Sequence, residues 1–296
     1  MRQRANLWAV VLAGGEGSRV ARLTTDGNGR TVPKQFWHTR DGGSMLGWTL
    51  NRARRHAMST RIVALVSDQQ RHWWRPCLRP LLEENVLSQP ENRGTAVALL
   101  HAAVHILLRE PGARILVLPS DHYLEDERTL DQAVAYAVDV AEAWPEHLVL
   151  LGARPEQDDQ DYGWILPASG DAQDPPPVER FVEKPGTADA GSLRQQGALL
   201  NTFVLVFTGW ALVHAFQRAV PDLFATYMAA LDGGRLQAYL ARQAYPDLPR
   251  YDFGRDVLQR VTPALRVVTL PPCGWTDLGT PERMTNWLAH AGGAAP

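Results

Sequence analysis

The chain has 296 residues, enough for one large α/β domain or two small ones with a sizeable core. Apolar residues make up 45%, charged residues 21%, and the net charge is −2, the balance of an ordinary soluble globular protein. This composition gives no basic footprint for nucleic acid, and no apolar run reaches membrane-spanning length, so neither a nucleic-acid nor a membrane partner is expected.

The basic and apolar start, "MRQRANLWAVVLAGG", mimics a secretory leader. Its apolar part is short and runs into glycines with no cleavage-like site, so a cytoplasmic protein is expected. "LWAVVLA" (7–13) reads as the first buried strand. It is followed by "RIVALVS" (61–67), "ARILVLPS" (113–120) and "HLVLLGA" (147–153), continuous apolar runs that suit a parallel sheet covered on both faces. Helices are expected at 44–57, 68–84, 95–109 and 127–143, with Ser44, Asp68 and Thr95 as caps of the first three. "RARRH" (52–56) reads as a solvated face of the first. This alternation predicts a doubly wound, mostly parallel α/β sheet.

Beyond residue 155 turn formers dominate, with short strands near 162–166 and 178–182, a surface loop "DAQDPPP" (171–177) and a strand at 199–207. Short helices follow to 260, then a last strand at 264–270 and a low-complexity "AGGAAP" tail. The expected layout is one domain, 1–296: a first half built on the parallel strands (1–153), an insertion over the carboxyl edge of the sheet (154–263), and a final strand with tail (264–296). Cys77 and Cys273 match no metal or redox spacing. His101 and His105 stand four apart on a helix, but Ala102 occupies the place of the glutamate that a zinc-protease motif needs. They read as helix packing or surface.

The stretch "LAGGEGSR" (12–19) is a glycine-rich turn after a strand. It is not a dinucleotide fingerprint, because Val20 stands where the third glycine belongs, and it lacks the Gly-Lys-Ser/Thr ending of a Walker loop. Backbone amides of Gly14 to Ser18 can form a nest for phosphate. Arg19 adds a forked donor and Lys34 a point charge. Asp121 ends one strand and Asp277 follows another by a short loop; two such carboxylates with phosphate oxygens suit Mg²⁺. His122 reads as a buried, hydrogen-bonded histidine. Asp252 reads as a helix cap.

"LAGGEGSR" followed by "PKQF" resembles the signature of the sugar-1-phosphate nucleotidyltransferases, and most of all the mannose-1-phosphate guanylyltransferase branch. The likeness continues in family order through "QPENRGTA", "VLPSDH", "DYGWI", "FVEKP", "LLNTFVLVF", "YDFGRDVL" and "WTDLGT", nearly the whole chain. It implies a Rossmann-like nucleotidyltransferase fold and transfer of a nucleotidyl group from a nucleoside triphosphate to a sugar 1-phosphate, with GTP and mannose 1-phosphate first and UTP or dTTP with glucose 1-phosphate as the alternative. A non-catalytic nucleotide-sugar sensor is the competing class. Arg19 and Lys34 would be catalytic, and Mg²⁺ would lie on Asp121 and Asp277. The nucleotide would contact Leu12, Ala13, Gly14, Gly15, Glu16, Gly17, Ser18, Gln89, Gly94, Thr95 and Ser120. The sugar phosphate would contact Tyr162, Gly163, Glu183, Lys184 and Asn201.

At the base pocket the chain departs from the Glu-Pro and Arg-Asn-Thr-Ala-Pro that the guanylyl branch commonly shows: here Gln89-Pro90 and Arg93-Gly94-Thr95-Ala96-Val97. Glutamine satisfies guanine, uracil or thymine by choosing its rotamer. Gly94 would present a backbone group to the base. The chain ends soon after "WTDLGTPERM", so no isomerase activity is expected; oligomeric state stays open, a homodimer being one option.

Overall fold

A computed structural model describes residues 4, 6–26, 28–38, 42–170, 174–232, 245 and 247–290. The AGGAAP tail lies outside them, as do parts of the 171–177 loop and of the region before 260. In chain order the elements are β1 (Leu7–Ala13), α1 (Met45–His56), β2 (Ile62–Ser67), α2 (Arg71–Cys77), β3 (Val86–Gln89), α3 (Thr95–Leu107), β4 (Arg114–Pro119) and β5 (His122–Tyr123). Then come α4 (Glu127–Ala143), β6 (Leu148–Ala153), β7 (Gly163–Pro167), β8 (Val178–Glu183), α5 (Thr187–Gln195), β9 (Leu199–Thr208), α6 (Gly209–Ala219) and α7 (Pro221–Asp232). β10 (Leu265–Leu270), β11 (Thr276–Asp277) and α8 (Pro281–His290) complete the chain. The result is the expected mostly parallel, mixed sheet with flanking helices.

Contacts group the chain into two compact units interleaved in sequence: Met1–Gln89, Val117–Glu127 and Cys273–Pro296 form the first, and Pro90–Leu116 with Arg128–Pro272 the second. In the first, β2 lies between β1 and β3 with parallel pairing to both, and the last residues of β4 flank β1. β1 and β2 are almost wholly buried, as continuous apolar strands must be when both faces are covered. In the second unit β6 pairs in parallel with β10 and antiparallel with β9, and β7 pairs antiparallel with β8 and β9. Its core carries Trp164, Phe181, Phe207, Phe216, Tyr227 and Phe253, all fully buried. Each side chain of this size contributes about 1.5–3 kcal/mol by leaving water.

Several helix ends differ from the expected ones. Ser44 caps α1, its Oγ accepting from Gly47 N at 3.1 Å. Asp68 caps nothing: it starts a short 3-10 turn, and α2 runs only over Arg71–Cys77 with Pro76 inside it, well short of the expected residue 84. Thr95 is the first residue of α3 and its hydroxyl accepts from Phe253 N; Gly94 holds the cap position. "RARRH" is not a solvated face throughout. Arg52 is 2% exposed and grips Glu127 with two nitrogens, at 2.9 and 2.6 Å, while Arg55 takes the same carboxylate at 2.6 Å. That clasp ties α1 to the start of α4, and Thr49 Oγ1 adds a bond to Pro119 O at the end of β4.

α3 is apolar almost all round, as a buried helix should be, and His101 on it is a packing residue with an enclosed, unpartnered Nδ1. Burial, with neighbouring His105, lowers its pKa from 6.5 to about 4. Burial likewise lowers His122 to about 4, although Asp121 pulls the other way. The unfolded chain takes up these two protons as pH falls below 6.5 and the folded chain resists, so stability present above that value is lost on acidification. Denaturant unfolding at pH 7 and pH 5 should show this loss, and His101→Leu should reduce it by on the order of 1 kcal/mol. An unchanged pH dependence in His101→Leu would contradict the assignment.

Candidate active site

The first unit gathers one set of the expected residues. β1 ends at Ala13 and the chain turns through Gly14 to Gly17, with Gly17 at φ 64°, into a 3-10 turn over Ser18–Leu23. That left-handed value favours glycine, and a Cβ there would also meet Lys34 N at 3.2 Å. The amides of Gly15, Glu16 and Gly17 meet no acceptor among the described residues, whereas the Gly15 carbonyl is held firmly. Gln35 Nε2 donates to it at 2.8 Å and Gln70 Nε2 at 3.0 Å. Gln35 Nε2 also reaches Ala13 O and Gln70 Oε1, both at 3.1 Å. Pinned carbonyls and unused amides are what an anion-binding nest needs.

Lys34 is buried at 8% exposure behind this loop. Its ammonium is 2.7 Å from Asp121 Oδ2 and 3.2 Å from Leu278 O. Burial alone would raise the pKa of Asp121, but the Lys34 charge and hydrogen bond outweigh it and hold the carboxyl at about 2. β5 and β11 form an antiparallel ribbon in which Asp277 lies opposite His122, and Leu278 N donates to Asp121 O at 3.1 Å. The two aspartates therefore start on adjoining backbones. Asp277 carries a counter-charge that the sequence reading missed: Arg283, from the first turn of α8, pairs with it. Exposed Arg19 is drawn in as well, since a Cβ on Gly279 would meet its Nη2 at 3.2 Å and Asp277 Oδ2 at 2.7 Å. Trp275 Nε1 donates to His122 Nδ1 at 3.2 Å, which leaves the His122 proton on Nε2, facing Asp121 Oδ1 at 3.6 Å. His122 is the buried, hydrogen-bonded histidine expected.

Asp121 and Asp277 supply hard carboxylate oxygens of the kind Mg²⁺ takes, and no group of three or more His, Cys, Asp or Glu able to hold a metal occurs among the described residues. Two carboxylates are a donor set that a divalent ion would accept, provided water and phosphate oxygens supplied the rest. Leu12 O accepts from both the Ser120 amide (3.1 Å) and the Ser120 hydroxyl (2.6 Å), so Ser120 braces β1 at the loop entrance. Gln89, buried at the end of β3, brings Oε1 within 3.4 Å of the Cβ position of Gly14.

The second unit gathers the others. Gly94 does not offer its amide outward: Asn92 Oδ1 takes that N–H at 3.0 Å, and Gly94 O accepts from Ala98 N. Its φ is 90° and a Cβ would fall 2.1 Å from Tyr251 O, so glycine lets the Tyr251 backbone dock there. Tyr251 N to Arg93 O, Ala96 N to Tyr251 O and Phe253 N to Thr95 Oγ1 complete the junction. Asp252 caps the next turn, accepting from Arg255 N at 2.9 Å.

Glu183 ends β8 in a slot walled by glycines. A Cβ on Gly163 would lie 2.7 Å from its Oε2, and one on Gly254 2.1 Å. Burial and then the Asp252 charge raise its pKa, with Lys184 opposing at Nζ to Oε1 3.4 Å. Lys184 has φ 49°, tied by its amide to Tyr162 O at 3.1 Å, and its side chain is 44% exposed. In β9, Asn201 Oδ1 accepts from Phe203 N at 3.1 Å, where the pairing with β6 shifts register and Phe203 takes φ 56°. Lys184 and Phe203 are thus two non-glycine residues in the left-handed region, each at a cost of order 1–3 kcal/mol.

Comparison with known proteins gives a consistent answer. A family model described as nucleotidyl transferase matches residues 8–291. The xanthan biosynthesis protein XanB of Xanthomonas campestris pv. campestris (strain B100) is 30% identical over 277 residues, covering 92% of this chain and 57% of that protein. The mannose-1-phosphate guanylyltransferase of Escherichia coli (strain K12) is 29% identical over 299 residues, covering 97% and 61%. The chain thus spans about three-fifths of the length of these relatives. Among solved structures, one described as mannose-1-phosphate geranyltransferase from Thermus thermophilus superposes with TM-score 0.78 at 29% identity, covering 93% of this chain and 76% of that one.

The Gln35–Gln70 clamp can be tested without substrate. Gln35→Ala removes three hydrogen bonds and should lower unfolding free energy by about 1–3 kcal/mol, Gln70→Ala by less. Equal stability of both variants and the parent in urea unfolding would mean that the loop does not depend on the clamp.

Proposed function

The chain belongs to the nucleotidyl transferase family, and on that premise we propose that it joins a nucleoside triphosphate and a sugar 1-phosphate into a nucleotide-sugar and pyrophosphate, with GTP and mannose 1-phosphate as its pair. The observation that carries this reading is the first unit's pairing of three unused loop amides with buried Lys34 and the two aspartates. The relatives named for mannose-1-phosphate guanylyl transfer support the choice of substrates.

In this mechanism the amides of the 14–18 loop and Arg19 hold the β and γ phosphates, and Lys34 neutralises charge at the α-phosphate. An oxygen of the sugar 1-phosphate attacks the α-phosphorus as the bond to the bridging oxygen of the β-phosphate breaks, and pyrophosphate leaves with that electron pair. The attacking oxygen is already ionised, so no general base is required, and the low pKa of His122 agrees with its having no such duty. Catalysis is then positioning and charge stabilisation. Asp121, ionised throughout the neutral range, and Asp277 would hold Mg²⁺, which when bound polarises the α-phosphate and templates the triphosphate. Lys184 would take the acceptor phosphate. Glu183 and Asn201 would take its hydroxyls, with Tyr162 and Gly163 as pocket backbone. Gln89 would read the base, with Thr95 and Ser120 bracing the segments around it. Gly94, whose own polar groups are used internally, would act only through the docking of Tyr251. The work would take place in the cytoplasm.

Pyrophosphate release should be measured for the four nucleoside triphosphates against a panel of sugar 1-phosphates, with Mg²⁺ and again with EDTA. GTP with mannose 1-phosphate should give the highest kcat/KM, and EDTA should abolish it. A best pair of UTP or dTTP with glucose 1-phosphate would move the assignment to that branch; no release with any pair would favour a nucleotide-sugar sensor. Lys34→Ala, Asp121→Asn and Lys184→Ala should each lower turnover by roughly 10²- to 10³-fold, the scale for one preorganised charged group. Full activity in these variants would overturn the residue roles. Because burial raises its pKa, Glu183 takes up a proton at higher pH than a free glutamate, whose value is 4.5. The KM for sugar 1-phosphate should therefore begin to rise, as pH falls, above that value, and Glu183→Gln should remove this limb of the profile.

A further inference from the structure

Phe203 has no part in the mechanism above, yet it occupies a position built for glycine. Its φ of 56° lies in the left-handed region that aromatic side chains rarely adopt. It lies where β9 runs from Asn201, opposite Gly152, to Leu205, opposite Leu150, so four residue steps on β9 face two on β6. Glycine would make that bulge without strain, so the backbone alone does not ask for a phenylalanine.

Core packing does not fully account for it either, since Phe203 is only half-buried. Its ring is nonetheless held in place, edge-on to Phe253 with centroids 5.9 Å apart and planes at 63°. Phe253 is fully buried and packs in turn on Phe216. The residue after Phe253 is Gly254, whose missing side chain makes room for the Glu183 carboxylate. On the other side, Asn201 Oδ1 accepts the Phe203 amide, so that the strained backbone also sets the Asn201 carboxamide. The ring thus belongs to the Glu183–Asn201 cluster, the polar groups assigned above to sugar hydroxyls.

We propose that Phe203 is a specificity-determining residue for the acceptor: the uncovered part of its half-buried ring covers the C–H face of the sugar ring while Glu183 and Asn201 take the hydroxyls. This deepens the transferase reading and rests on it. Sugar rings carry apolar C–H patches that pack on aromatic faces, and a hydroxyl turned toward Phe203 would lose its water without gaining a partner. The ring therefore selects among sugar 1-phosphates that differ only in the orientation of one hydroxyl.

The test compares the parent with Phe203→Gly, which removes ring and strain together, Phe203→Ala, which removes the ring alone, and Phe203→Tyr, which keeps it. Two readouts are needed: pyrophosphate-release kinetics across epimeric hexose 1-phosphates, and calorimetric binding of the same compounds without triphosphate. Phe203→Gly and Phe203→Ala should raise acceptor KM and weaken acceptor binding by roughly tenfold, the scale of one lost aromatic contact, and flatten the preference among epimers. The KM for triphosphate should not move, and Phe203→Tyr should restore the acceptor values. The thermal midpoint of Phe203→Gly should not fall below that of Phe203→Ala, because glycine fits the backbone. Unchanged acceptor binding and epimer preference in both ring-deleted variants would overturn the proposal. If the parent binds sugar 1-phosphate but releases no pyrophosphate, the transferase reading fails while the binding data still decide the role of Phe203. If the parent binds no sugar 1-phosphate, both fall.

Discussion

An ammonium and a carboxylate 2.7 Å apart, behind a loop of glycines, set the chemistry of the first unit. Burying a lysine is costly unless its charge is matched, and Lys34 is matched by Asp121. The same ammonium bonds Leu278 O, so the pair also fixes the loop that delivers Asp277. Asp277 has its own cation in Arg283. Each aspartate thus has a cationic partner, with Arg19 close to Asp277 as well.

The scaffold behind that point is equally specific. The bidentate grip of Arg52 on Glu127 and the bond from Thr49 to Pro119 bracket the segment 119–127, which bears Asp121 and His122. Trp275 orients His122, and His122 faces Asp121. In the second unit the same job falls to absent side chains. Gly163 and Gly254 leave just the volume that the Glu183 carboxylate fills, and Gly94 lets Tyr251 lie against the start of α3. Polar positioning in one unit and steric vacancy in the other each fix an acidic group.

Much of this was legible in the amino-acid order. Buried parallel strands announce themselves as uninterrupted apolar runs, and β1, β2, β4 and β6 fall where such runs lie. The motif order identified the family, and His122 and Asp252 took the bland roles read for them. What escaped depends on partners remote in sequence. Arg52 looks like surface until Glu127, 75 residues on, is brought to it. Arg283 lies beyond the motif it serves, and its only signal is a basic residue in the first turn of a helix after "WTDLGT". For Gly94 the sequence offered only a base contact; the close approach of the Tyr251 carbonyl, 157 positions on, is a further reason for glycine there that the sequence did not show. The Asp68 and Thr95 caps failed because a Ser, Thr or Asp near a helix start is only a candidate until a free amide faces it.

The glutamine clamp on Gly15 has an implication for how such loops are inherited. The 12–19 stretch reads as a self-contained cassette, yet its shape is imposed by Gln35 and Gln70, one after a separate loop and the other at the entrance to α2. A glycine-rich turn copied alone into another scaffold would carry its composition and lose its conformation. The transferable module is discontinuous: a turn and two distant amides that must travel together.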